Sequence, residues 1–179
     1  VGGGGGGAAE LRCPSPARFA GADEDVLLIR GFGKTYGCTG WRLGYVAGPG
    51  ELIAQMGKLQ QYTFVCAPTP LQAGVIAGFD TDMRQTVDVF EKRRDMVLSV
   101  LSAVTEVPEP DGAFYAFVRV PERLGMTGTQ FFEKCVEREV LMIPGRGFSQ
   151  QDTHFRLSLA APDETLAAGV EIIAELMGG

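Results

Sequence analysis

The apolar positions change period several times along the chain, and each change marks a predicted element. Val26-Leu27-Leu28-Ile29-Arg30 is a short β-branched and apolar run that predicts a buried strand. Leu43-Gly44-Tyr45-Val46-Ala47 predicts a second, ended by Gly48-Pro49-Gly50. Residues 31–40, between them, hold too many glycines for a helix and predict a specialised loop. Residues 51–62 carry amphipathic helical spacing, and Thr69-Pro70 opens another helix, because proline suits the first helical turn. Over 81–104, Met83, Val87, Phe90, Val97, Leu101 and Val104 fall on one helical face, while Glu91, Lys92, Arg93 and Asp95 lie on the other. Such a helix lies across a core rather than inside one. Downstream, the pattern predicts a strand over 114–118, a helix over 128–138 and a strand over 140–143. A turn at 144–147, a strand over 155–159 and a helix over 162–177 close the chain.

Strands mixed with helices in this way indicate an α/β or α+β architecture. The first part has only two or three strands, too few for an open parallel sheet covered on both faces. It is therefore expected to be a remnant of a larger domain, preceded over 1–22 by a glycine-rich, low-complexity lead-in expected to be flexible.

Composition narrows the function classes. At 45% hydrophobic and 21% charged, the chain reads as a globular protein with ample length for a core. No apolar run approaches the roughly 20 residues of a membrane span, and the first residues lack the basic start of a secretory signal. The chain opens on Val1 without an initiating Met, so the expectation is that it is incomplete. A net charge of -6 with scattered positive residues argues against a nucleic-acid partner. Cys13, Cys38, Cys66 and Cys135 show neither C-x-x-C spacing nor clustered histidines. That argues against a disulfide framework or metal site, and for thiols in a reducing cytoplasm. The single histidine, His154, sits in an alternating strand pattern and reads as structural, which leaves serine–histidine or cysteine–histidine chemistry little to work with.

The loop Gly31-Phe32-Gly33-Lys34-Thr35-Tyr36-Gly37 carries the candidate chemistry. Gly33-Lys34-Thr35 has the tail of a nucleotide-binding P-loop, but Leu28 stands where that motif needs its first glycine. The dinucleotide fingerprint fails too, because Tyr36 occupies its third glycine position. What remains is a lysine on a glycine-rich loop, followed by Arg42. Phe, Tyr and Trp41 nearby in sequence are expected to desolvate Lys34 and favour the neutral amine that carbonyl chemistry requires. Arg42 offers a planar fork of donors suited to a phosphate. An amine beside a phosphate clamp is the arrangement needed to hold a phosphorylated aldehyde cofactor.

The segment GFGKTYGCTGWRLGYVAGP resembles the cofactor-lysine segment of the fold type I, class I/II aminotransferases, which runs S-F-S-K, a short linker, then G-x-R-x-G. Further segments resemble the same family in order. They are Phe64-Val65-Cys66-Ala67-Pro68 followed by Gln72, Asp111-Gly112-Ala113-Phe114-Tyr115, the stretch VLMIPGRGF, and HFRLSLA with Arg156. The resemblance implies an α/β fold in which 23–80 is a partial large, pyridoxal 5'-phosphate (PLP)-binding domain and 81–179 a smaller α+β C-terminal domain. It implies amino transfer between an amino acid and a 2-oxo acid, by a ping-pong reaction in which Lys34 forms a Schiff base with PLP. By the same resemblance, Arg42 binds the cofactor phosphate and Arg156 the substrate α-carboxylate. The intact protein would be a homodimer.

The sequence also departs from the family. Gly31 and Gly33 stand where serines are common, three and one positions before the lysine. The aspartate that pairs with the pyridine nitrogen lies in the family some three dozen residues before the lysine, a position that here falls off the chain or into the glycines. Asp23, Glu24 and Asp25 are too close to the strand to replace it and read as a solvated acidic turn. The chain is thus expected to carry the lysine and carboxylate half of a PLP site, by truncation or by degeneration. A PLP-dependent lyase and a non-catalytic fragment remain as alternatives.

Overall fold

The computed structural model describes residues 14–19 and 21–178. The expected lead-in over 1–22 falls largely outside these residues, as does Cys13. The chain forms two compact units divided between Arg84 and Gln85.

In the first unit the order is α1 (Ala22–Asp25), β1 (Leu28–Gly31), β2 (Gly44–Ala47), α2 (Gly50–Gln61) and α3 (Thr69–Ile76). Strand β1 starts two residues later than the apolar run predicts, because α1 occupies the chain up to Asp25. Glu24 and Asp25 are exposed, as an acidic turn requires. Strands β1 and β2 pair antiparallel, from Leu28 opposite Ala47 to Gly31 opposite Gly44. The two strands therefore deliver both ends of the intervening loop to one place. Helix α3 has proline in its first turn, as predicted. Leu43 and Val75 are the buried hydrophobic side chains among the described residues of this unit, whereas Ile29, Tyr62 and Phe64 are exposed.

Helix α4 (Arg84–Leu101) leads into the second unit, followed by β3 (Tyr115–Arg119), α5 (Gly128–Glu137), β4 (Ile143–Pro144), β5 (His154–Ser158) and α6 (Asp163–Gly178). The strands form an antiparallel sheet in the order β3-β5-β4, with Phe117 opposite Arg156 and Ile143 also opposite Arg156. Alternation divides the sheet into two faces. Ala116, Val118, Phe155 and Leu157 enter a core shared with Val97, Leu101, Phe131, Cys135, Val170, Ile173 and Met177. Each large apolar side chain fully withdrawn from water contributes about 1.5–3 kcal/mol. The predicted apolar stripe of α4 holds from Phe90 onward. Val87, earlier in the helix, is exposed, and Met83 precedes it.

Helix α5 begins with a capping box. The Thr127 hydroxyl accepts from the Gln130 N–H at 3.2 Å, and the Gln130 side chain accepts from the Thr127 N–H at 2.9 Å. Asp152 takes the next orphan donors, its carbonyl from Gly128 at 2.6 Å and its carboxylate from Thr129 at 3.1 Å. The strand predicted over 140–143 is a correction, since only Ile143–Pro144 pairs. Glu139 adopts a left-handed conformation (φ 61°), so that the Glu139 N–H bonds the Val136 carbonyl and the Val140 N–H bonds the Cys135 carbonyl. Residues 139 and 140 thus serve as the helix's C-terminal cap, which withdraws their backbone from any ladder. Arg123 adds a second tie, donating to the carbonyls of Val104 (2.8 Å) and Met177 (2.7 Å), near the ends of α4 and α6.

Candidate active site

The loop between β1 and β2 folds back on itself. The Tyr36 N–H donates to the Phe32 carbonyl at 3.1 Å, closing one helical-type turn. Residues four apart in such a turn share a side, and the Phe32 and Tyr36 rings do, with centroids 6.3 Å apart. Tyr45 and Phe79 join Phe32 at 5.5 and 5.7 Å. Lys34 falls midway through the turn.

It lines a different depression, of about 370 Å³, walled by Gly31, Gly33, Lys34, Thr39, Arg42, Leu43 and Gly44. No aromatic ring is among these residues, and Lys34 is exposed. The expected aromatic desolvation of Lys34 is therefore corrected. Phe32 and Tyr36 stack on each other, and Trp41 lies beside Gly74.

Arg42 reaches the same depression by an uncommon backbone. It ends a short 3-10 turn (Thr39–Trp41) in the left-handed region, with φ 53° and ψ 37°. That conformation costs a non-glycine residue on the order of 1–3 kcal/mol and is met chiefly at functional sites. One guanidinium nitrogen donates to the Thr39 carbonyl at 3.2 Å, which fixes the side chain and leaves most of its five donors available. An amine and a guanidinium thus share one wall otherwise made of glycine backbone, Thr39 and Leu43. The volume lies within the range of small-molecule sites. These residues fit a phosphorylated aldehyde, with Lys34 for the carbonyl and Arg42 for the phosphate. Among the described residues, no acidic side chain lines the depression.

Arg156 belongs to the second unit, on the sheet face turned away from the core. Its guanidinium carbon lies over the Tyr115 ring at 4.1 Å from the centroid and over the Phe148 ring at 4.5 Å. His154 stacks on Phe117 on the same face, with centroids 4.9 Å and planes 5° apart, and its Nδ1 lies 2.8 Å from the Thr153 hydroxyl. That is the structural strand role expected of it. Burial, and then the Arg119 charge, lower the His154 pKa from its ordinary value, against a smaller opposing pull from Glu106. The Cys135 thiol, deep in the core, is pushed up to about 12 by burial.

Three residues of these settings were not singled out from sequence. Thr39 tethers Arg42, and Tyr115 and Phe148 flank Arg156. The last two stand inside recognisable motifs, but their joint contact with Arg156 needs the strand register to be known.

The fold matches those of solved aminotransferases of fold type I. Aromatic aminotransferase from Pyrococcus horikoshii superposes with a TM-score of 0.85 at 28% identity, over 94% of this chain and 47% of that one. A probable N-succinyldiaminopimelate aminotransferase from Thermus thermophilus gives 0.87 at 27% identity, over 93% and 46%. The sequence matches the aminotransferase class I and II family over residues 2–173. A probable aspartate aminotransferase of Methanocaldococcus jannaschii is 36% identical over 172 residues, 90% of this chain and 44% of the relative. The chain belongs to the class I and II aminotransferases, a PLP-dependent family of transferases. It spans a little under half the length of these relatives. Among the described residues, no helix is long and apolar enough to cross a membrane.

Proposed function

We propose that this chain provides the lysine and carboxylate-binding part of a PLP-dependent aminotransferase that moves an amino group between an amino acid and a 2-oxo acid. The first unit would be the part of the large domain that holds the cofactor lysine, and the second the smaller C-terminal domain of a homodimeric enzyme. The reading is carried by one observation: Lys34 and a strained, tethered Arg42 line the same depression.

When bound, the cofactor supplies an aldehyde that amines condense with and a ring that withdraws electrons from the bonds at the amino acid's α-carbon. The Lys34 Nζ would hold the cofactor through its aldehyde carbon and would move the proton at the substrate Cα. Arg42 receives the phosphate through the donors that Thr39 leaves unused. Arg156 forms a two-pronged pair with the α-carboxylate and so fixes the orientation of the Cα bonds.

The test is to incubate the purified chain with PLP, reduce with borohydride and map the modified peptide. Attachment at Lys34, absent in Lys34→Ala, is the expected result, with weak uptake and little or no turnover by this chain as it stands. Absence of any adduct at saturating PLP, or one confined to other lysines, overturns the assignment.

A further inference from the structure

Arg156 differs from the ion-paired arginines of its unit. Arg93, Arg94, Arg119 and Arg138 each hold a carboxylate, of Asp163, Asp95, Glu122 and Glu175 among others. Arg156 is half-buried, and among the described residues its side chain forms no ion pair or hydrogen bond. What it has instead is two aromatic rings, Tyr115 and Phe148, within cation–π range.

The register explains how the rings arrive. Tyr115 is opposite Ser158, so Arg156 is its diagonal neighbour on the same sheet face. The Phe117–His154 stack repeats that diagonal one pair along. Phe148 comes from the other side of the sequence, at the end of the 3-10 turn Gly145–Gly147 that follows β4. This turn sits tight on β5, since a Cβ on Gly145 would lie 2.6 Å from the His154 carbonyl oxygen. Two separate pieces of chain are thus built against one cation. The rings engage the guanidinium through its π system, and its N–H donors lie at the edge, free for an acceptor in the plane.

We infer that Tyr115 and Phe148 are positioning residues that hold Arg156 flat and unpaired, so that it receives a planar carboxylate edge-on through two parallel hydrogen bonds. The inference rests on the proposed reading of Arg156 as the α-carboxylate group. It adds that the affinity for the acid depends on the rings rather than on the arginine's charge alone.

The chain labelled with 15N-arginine allows a test without turnover. The Arg156 Nε–Hε signal, assigned with Arg156→Lys, is followed while pyruvate, a simple 2-oxo acid, is titrated in. The expected result is a saturable shift of that signal, weakened roughly threefold to thirtyfold in Tyr115→Leu and in Phe148→Leu. Tyr115→Phe and Phe148→Tyr, which keep a ring, should restore wild-type affinity, which a general loss of packing would not explain. Circular dichroism checks that each variant is folded. An unchanged titration in folded Leu variants overturns the inference while leaving Arg156 as the carboxylate group. No saturable shift in the wild-type chain overturns the carboxylate reading of Arg156 itself, and this inference with it.

Discussion

Gly33 stands so close to Thr39 that a Cβ on residue 33 would lie 3.0 Å from the Thr39 Cα. Thr39 is also the residue whose carbonyl tethers Arg42. A side chain at 33 therefore presses on the backbone that aims the Arg42 guanidinium. The glycine immediately before the lysine is matched to this loop, since a side chain there would require the backbone at Thr39 to give by a few tenths of an ångström.

Two glycine-to-serine substitutions should consequently part company. At Gly31 a Cβ meets nothing nearer than the Leu43 carbonyl at 4.0 Å, and the residue lines the Lys34 depression. Gly31→Ser is expected to fold normally and to tighten PLP binding up to about tenfold, because a hydroxyl bonded to a charged group contributes roughly 1.5–3 kcal/mol less the cost of ordering. Gly33→Ser is expected to lose about 1–3 kcal/mol of stability through overpacking and to bind PLP more weakly. Absorbance titration with PLP and denaturant melts measure the two effects; equal behaviour of the two variants would contradict the loop geometry.

Arg42 should show a trade between stability and binding. Arg42→Gly removes the left-handed strain and is expected to raise stability by up to about 1 kcal/mol. The same change should weaken PLP binding tenfold or more, on the order of 1.5–3 kcal/mol for hydrogen bonds to a charged group. Pyridoxal, which has no phosphate, should bind both forms alike. A parallel loss for pyridoxal would assign Arg42 a role other than phosphate contact.

The thiols should separate by reactivity. Burial holds Cys135 protonated up to about pH 12, whereas Cys66 is exposed. Iodoacetamide at pH 8 should label Cys66 and spare Cys135 until the chain is unfolded. Because the Cys135 thiol ionises more readily unfolded than folded, its contribution to stability is complete below pH 9.0 and is lost as pH climbs toward 12. Peptide mapping after labelling reads the first effect, and melts in alkaline buffers the second. Early labelling of Cys135 in the folded chain would contradict its burial.

His154 gives the opposite slope. Its pKa is lowered in the fold, so the unfolded chain binds the proton more readily. The stability it supports is present above the ordinary histidine range and is lost as pH falls through about 6.5 and below. His154→Phe keeps a ring on Phe117 and should flatten the fall of Tm between pH 7 and pH 5. An unaltered fall in this variant would place the titrating group elsewhere.

How legible all this was in the sequence depended on the range of the forces involved. Helices α2 and α6 begin and end within a residue or so of their apolar periodicity; in α6 that pattern records the buried face of Leu166, Val170, Ile173 and Met177, whereas α2 has the pattern with no buried residue. The run Val140-Leu141-Met142 has strand composition, but its first backbone N–H closes the cap of α5, and composition does not reveal that Glu139 accepts a left-handed backbone. Lys34 and Arg42 were visible as a motif and share a depression. The side to which Phe32 and Tyr36 turn was not visible, because it follows from one hydrogen bond across the loop. Tyr115, Phe148 and Arg156 were in view as separate motifs, and only strand register brings the three together.

The double hydrogen bond from Arg123 has a kinetic meaning. The last turn of a helix ordinarily frays, exchanging its amide hydrogens with water quickly. Here a cation from the middle of the second unit grips the carbonyl of Met177 together with that of Val104, and the side chain of Met177 is itself fully buried. The amides of the last turn of α6 should therefore exchange on the timescale of the core they close.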